Sequence, residues 1–450
     1  MDHVKMRGIS IMSPVTPSHA LPPDTPSTQK RAGPRPLPLH IANAYTLWMS
    51  GAASLPLFMM DGLQTHPNRK KEAAALRHEL NNHKIEDLQH AVIQKGQQRF
   101  QDFLNGVDAY RHSPYRRQVA SPPVFAKYGT TRLLDYGVGD YGGGTNPQQG
   151  ATIASQPPVI FVPSLINPAY ILDLHEQHSM MRYFAASGIR PLLLDWGAPG
   201  VVEKQFGLRE YVTDRLVPLI RDVAERCGQP VILVGYCMGG TLSVAATQIL
   251  RAENVISAIA LLATPWDFHA DRSPQSWQFL EMIKTTHDAW QQIGYMPMDL
   301  LQLFFISLDP TLSDRKFRRF GRMQPDDKKA VHFVAIEDWV NDGHPLPLKV
   351  ADDCLRDWYM DNKPLGNQWQ IGTHNINAAS IDIPSLVVIP QRDRIVPHDS
   401  AMALAKQLPH CHTIEIAAGH VTMVSGERAK EILWQPLKQW MMDYFNKKSE

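Results

Sequence analysis

The chain has 450 residues, 44% hydrophobic and 20% charged, which is enough apolar material for a sizeable core. Its 45 basic and 44 acidic side chains leave a net charge of +1, which excludes a role built on neutralising nucleic acid. Four cysteines, Cys227, Cys237, Cys354 and Cys411, form no CxxC pair; this argues against a disulfide scaffold or a cysteine-rich zinc site and fits a reducing, cytoplasmic setting.

Residues 1–35 are rich in Pro, Ser, Thr and Gln without any helical or strand period, and read as a disordered tail. Residues 1–7 carry no signal-peptide pattern. Residues 36–115 read as a helical N-terminal extension. Its first part, 36–60, contains no Asp, Glu, Lys or Arg, and fits a helix docked on the body, a helix lying on an apolar surface, or a membrane span. From Pro67 to Gly106 apolar residues recur at spacings of 3 or 4, the mark of amphipathic helices, with breaks expected near Asn81-Asn82 and Gly96. Gly137, Gly139 and Gly142 match a GxGxxG spacing, but without a preceding strand and a following helix they read as a plain loop.

The core occupies 116–267 and 376–450. Of the short runs at Val159–Val162, Pro191–Leu194, Val231–Val234, Ile256–Leu262, Leu386–Ile389 and Thr413–Ile416, most are continuously apolar rather than alternating, as in parallel strands covered on both faces. Helices are expected over Leu174–Ser187, Glu210–Arg226 and Gly240–Arg251, giving an α/β fold with a mostly parallel sheet and helices on both faces. Residues 268–375, dense in Phe, Trp and Met, interrupt that rhythm and read as a cap over the ligand edge of the sheet, or as helical decoration away from any site.

The chemistry is concentrated in VILVGYCMGGTL, residues 231–242. A strand runs into Gly235-Tyr236-Cys237-Met238-Gly239 and then into a helix, the nucleophile-elbow pattern with cysteine as nucleophile. Glycines are required because the turn is tight, and the helix N-terminus favours negative charge on the sulfur. An elbow predicts an acid and then a histidine on loops after later strands. Asp393 follows IPSLVVIP and His420 follows HTIEI, so His420 is the expected base for Cys237 and Asp393 its orienting partner, with Asp399 the rival acid. The expected oxyanion donors are the backbone amides of Met238 and of Leu165 or Ile166. Asp195 reads as a turn-pinning residue. HEQH at 175–178 lacks the HExxH spacing of a zinc helix, so neither a metal nor a bound cofactor is expected.

The stretches INPAYILDL, VGYCMGGTLS, LLATPWDF, RDRIVPHDSA and GHVTMVSG together resemble the poly(3-hydroxyalkanoate) synthases, over about residues 120–450. That resemblance implies an α/β-hydrolase core with a large cap insertion, Cys237 as acyl carrier, and His420 and Asp393 as its partners. It implies coenzyme A thioesters as substrate, a homodimer, a possible second synthase subunit, and attachment to cytoplasmic polymer granules. Three functions follow as expectations. The first is polymerisation of (R)-3-hydroxyacyl-CoA through an acyl-cysteine with release of CoA. The second is a depolymerase or acyl-CoA or ester hydrolase using the same three residues, and the third a non-catalytic granule scaffold.

Overall fold

The structure, a computed structural model, describes residues 31–138, 156–270 and 274–449. Residues 1–30, within the expected tail, and Gly139 and Gly142 of the glycine-rich stretch lie outside the described residues.

An eight-stranded sheet forms the centre. Its strands are β1 (Val124–Tyr128), β2 (Thr131–Asp135), β3 (Pro158–Val162), β4 (Arg190–Asp195), β5 (Val231–Tyr236), β6 (Ile256–Leu262), β7 (Ser385–Pro390) and β8 (Cys411–Ile416). They lie in the order β1-β2-β4-β3-β5-β6-β7-β8. β1 and β2 pair antiparallel with each other, β2 pairs antiparallel with β4, and every pair from β4 to β8 is parallel. Every residue of β3, β5 and β7 is buried. Strand alternation divides them between two cores. Ile160, Val162, Leu192 and Leu233 face one side, and Val159, Phe161, Leu193 and Ile232 the other. This is why the runs are apolar throughout. Each such side chain contributes about 1.5–3 kcal/mol on burial.

The N-terminal helices are α1 (Leu37–Met59), α2 (Lys70–Leu80) and α3 (Ile85–Arg111). α1 packs along α3, with Trp48 stacked on Phe100 at 5.9 Å between ring centroids. Gly96, expected as a break, lies inside the unbroken α3, where a Cβ would meet the Trp48 ring at 2.1 Å. The glycine makes room for a neighbour rather than ending the helix. Among the described residues, no helix is long and apolar enough to cross a membrane.

The helix expected over 174–187 is shorter. Residues Asp173–His175 and His178–Ser179 form a small antiparallel ladder, and α4 spans only Met180–Ala186. The Ser179 side chain accepts the Arg182 amide at 3.0 Å and so fixes the helix start. α5 (Val217–Cys227) continues a turn at 208–211 and a π-helical stretch at 212–216, and α6 (Met238–Ile249) follows β5.

Between β6 and β7 stand α7 (Pro274–Ile293), α8 (Met298–Leu308), α9 (Leu312–Phe320) and α10 (Lys328–Asn341), then a π-helical stretch, Cys354–Met360. α11 (His398–Gln407) links β7 to β8, and α12 (Gln435–Ser449) ends the described chain. The fold is thus a mostly parallel sheet flanked by helices, with a helical cap. α3 packs against α9 of the cap through Phe103, Val107 and Phe317, a third apolar cluster separate from the two on the sheet.

Candidate active site

β5 ends at Tyr236, and α6 begins at Met238, so Cys237 occupies the bend between them. Its backbone is at φ 57° and ψ −131°, in the left-handed half of conformational space that a side chain bearing a Cβ rarely takes. Its N–H donates to the Leu262 carbonyl of β6 at 2.8 Å, and its own carbonyl accepts the Gly240 amide at 2.9 Å. Two glycines make the bend possible. A Cβ at Gly235 would lie 2.4 Å from Gly240 Cα, and one at Gly239 would lie 2.1 Å from the Val162 carbonyl at the end of β3. The crowding at Gly239 therefore comes from the neighbouring strand rather than from the opposite side of the turn.

Asp393 follows β7 and His420 follows β8, both at the C-terminal edge where ligands of open α/β sheets bind. His420 Nδ1 lies 2.6 Å from Asp393 Oδ2, and the Asp393 side chain is fully buried. The other Asp393 oxygen accepts the amides of Ile395 and Val396 at 2.8 and 3.0 Å, so the carboxylate is held on both sides. The His420 side chain also hydrogen-bonds Cys237. Burial pulls the His420 ring toward the neutral form. The facing charges of Cys237 and Asp393, with their hydrogen bonds, outweigh it and raise its pKa. The structure thus brings Cys237, His420 and Asp393 together. Asp399 lies elsewhere, exposed and paired with His398 at 3.0 Å.

The loop after β3 borders the same bend. The Ile166 amide donates to Ser164 Oγ at 3.2 Å, and Ser164, Ile166 and Met238 border the cavity above Cys237. Asp195 pins a turn, accepting the Gly197 amide at 3.1 Å and pairing with Arg132. His175 and His178 sit in the ladder, not on a helix face. Among the described residues no group of His, Cys, Asp and Glu is arranged to hold a metal ion.

A cavity of about 990 Å³ opens over Cys237, Asp393 and His420. Phe268, Phe304, Phe305, Trp358 and Tyr359 of the cap line it, so the cap covers the site. A carbonyl carbon held over Cys237 would meet a sulfur nucleophile, an imidazole fixed by a buried carboxylate, and backbone amides at a helix start. That set can form and break a covalent acyl-enzyme.

The family model for the alpha/beta hydrolase fold matches residues 157–427. The chain belongs to the α/β-hydrolase family. It is 28% identical over 291 residues to the poly(3-hydroxyalkanoate) polymerase subunit PhaC of Haloarcula marismortui, covering 63% of this chain and 60% of that protein. To the PhaC subunit of Allochromatium vinosum it is 27% identical over 292 residues, covering 63% and 80%. The chain thus spans 60% of the length of the Haloarcula protein and 58% of the Haloferax mediterranei one. A thermophilic esterase of known structure from Thermogutta terrifontis is 15% identical with a TM-score of 0.42, covering 72% of this chain and 98% of that one. This α/β hydrolase is an enzyme of the superfamily, distantly related to PhaC-type subunits.

Around this site lie residues that sequence reasoning missed. Tyr236 donates its hydroxyl to the His420 carbonyl at 3.1 Å and stacks on the ring at 5.3 Å between centroids, holding both the backbone and the ring of the histidine. Its place inside the elbow motif was the available signal. Pro34, Arg35 and His40 line the cavity although they belong to the N-terminal segment. No local pattern could have revealed that.

Proposed function

We propose that this enzyme transfers acyl groups from (R)-3-hydroxyacyl-CoA to the hydroxyl end of a growing polyester through an acyl-Cys237 intermediate. The observation that carries the reading is the cysteine elbow joined to a buried His420–Asp393 pair beneath a cavity walled by aromatic cap residues. The Cys237 thiolate attacks the thioester carbonyl, the bond to the CoA sulfur breaks, and CoA leaves as a thiol with the proton held on His420. One thioester replaces another, so the step is nearly isoenergetic. The hydroxyl of the chain then attacks acyl-Cys237 while His420 takes its proton. The carbon–Sγ bond breaks, an ester forms, and the thiolate returns. Asp393 keeps the imidazole oriented and stabilises its charged form. The amides of Met238 and of Leu165 or Ile166 serve the oxyanion in both steps. The apolar wall keeps water from the intermediate. The PhaC subunits to which the chain is similar support the same substrate class.

The test supplies (R)-3-hydroxybutyryl-CoA to the purified chain and measures released CoA, free acid and insoluble polymer. CoA release matched by polymer, with little free acid, is expected. Stoichiometric free acid would instead make the chain a hydrolase.

A further inference from the structure

A short segment ahead of α1 is tied to the cap with unusual thoroughness. The Arg31 guanidinium, 9% exposed, pairs with Asp338 of α10 at 2.6 Å and donates to the Ser113 carbonyl at 2.7 Å and to the Tyr115 carbonyl. Tyr110 of α3 donates to the same Asp338 at 2.9 Å. Four residues later the Arg35 amide donates to Asn341 Oδ1 at 2.8 Å. Residues 31–35 therefore grip the last turn of α10 at both ends, against α3 behind.

The opposite side of that turn holds the loop after β3. Trp339 Nε1 donates to the Pro168 carbonyl at 2.8 Å, and Asn167 Nδ2 reaches the carbonyls of Trp339 and Val340 at 3.4 Å. Tyr170 donates to Asp342 at 3.1 Å. That loop begins at Pro163, whose carbonyl is packed against Gly239 of the elbow. Hydrogen bonds thus connect Arg31 to α10 and α10 to the 167–170 segment, which is covalently continuous with Leu165.

We propose that residues 31–35 are a clamp on α10 that sets, through Trp339, the position of the loop after β3 and of the oxyanion amide expected at Leu165 or Ile166, making Arg31 and Trp339 positioning residues for acyl transfer. The inference rests on the acyl-enzyme reading of Cys237 given above. Its physical basis is that an oxyanion donor works only when preorganised, so a small displacement from a remote change lowers the rate. A shift of the amide costs transition-state stabilisation and leaves the nucleophile itself intact.

The test compares wild type with Arg31→Met, Arg31→Lys, Trp339→Phe and the double variant Arg31→Met/Trp339→Phe in the full chain. Single-turnover acylation of Cys237 by (R)-3-hydroxybutyryl-CoA is followed by intact mass, and alkylation of Cys237 by iodoacetamide, which needs no oxyanion donor, is followed in parallel. Each of Arg31→Met and Trp339→Phe is expected to slow saturated acylation about 10-fold or more, with alkylation unchanged in both and half-saturation unchanged in Arg31→Met, since Trp339 but not Arg31 lines the cavity. Arg31→Lys should recover part of the loss. The double variant should be no slower than the worse single one, because both act along one connection. Unchanged acylation in either single variant overturns the clamp. So do multiplying effects in the double variant, or alkylation that falls in step with acylation, which marks general damage. If wild type is alkylated but not acylated by the CoA thioester, the acyl-transfer reading fails on its own. The same variants are then compared with p-nitrophenyl acetate, by the same criteria.

Discussion

Cys237 is held where a side chain is sterically unwelcome, at φ 57°. A non-glycine residue in that region costs about 1–2 kcal/mol, a strain tolerated because β5, α6 and the Leu262 carbonyl fix the bend. Cys237→Gly should therefore raise the melting temperature, by about 1 °C for each kcal/mol released in a chain of this length, while abolishing labelling by acyl-CoA. Calorimetry beside intact mass checks both, and a lower melting temperature would show that the sulfur contributes more packing than the turn costs in strain. Asp393 acts one bond further out. Its charge is among the causes that raise His420, so Asp393→Asn should lower the imidazole pKa and shift the corresponding limb of the pH–rate profile for acylation to lower pH. The rate should fall by about 10²–10⁴-fold. A slow variant with an unmoved profile would mean that Asp393 is not the charge that tunes the ring. The three residues could be picked out from sequence because each follows an apolar strand, and an elbow dictates their order along the chain. Tyr236 was in view inside the motif, yet its stacking on His420 depends on where β8 ends. The Ile166 amide's bond to the Ser164 hydroxyl was not legible, because no pattern encodes the direction of that side chain.

At the level of elements, the parallel strands were readable because a strand covered on both faces must be apolar at every position, as PVIFV and VILVGY are. The helix expected at 174–187 was overestimated because DLHEQHS has helix-compatible composition, while its backbone pairs across the Asp173–Ser179 ladder and Ser179 starts the helix late. Gly96 misled in the opposite direction, since its role is set by Trp48 of a different helix. Gly239 joins elements more stringently. The carbonyls of Val162 and Pro163 would lie 2.1 and 2.4 Å from an added Cβ, and both are backbone atoms at the end of a central strand. Gly239→Ala must therefore push α6, which begins at Met238, away from the end of β3 and the loop that follows it. Destabilisation of about 1–3 kcal/mol or more is expected from overpacking, with acylation lost even in the folded fraction. Urea titration and acylation at low denaturant separate the two effects, and near-wild-type values in both would show that the elbow is looser than its contacts imply.

Across the whole molecule, distant parts of the chain meet on α10. Arg31 and α3 approach it from the N-terminal side, and the β3 loop from the core. Near its start His332 meets the ladder and the C-terminal region. His332 Nδ1 lies 3.0 Å from His175 Nε2, and the His178 ring stands 4.9 Å from both the His332 and Trp434 rings. Burial keeps this trio neutral and lowers each pKa, to about 4 for His175 and His178, and mutual repulsion adds to the effect at those two. Asp173 facing His175, and Glu427 with the Ser425 carbonyl facing His332, pull upward but are outweighed. In the unfolded chain the same rings take up protons near their ordinary value of 6.5. Between those limits the unfolded state binds more protons, so the stabilisation is complete above about pH 6.5 and drains away as pH falls toward 4. The melting temperature should fall over that window, and the fall should be shallower in His178→Phe, which keeps an aromatic ring against Trp434 while removing one titrating group. Carboxylates also titrate near the lower limit, so the difference between the two proteins, rather than either curve alone, isolates the trio. Parallel curves from pH 7 to pH 4.5 would show that protons reach these histidines without separating the cap from the core.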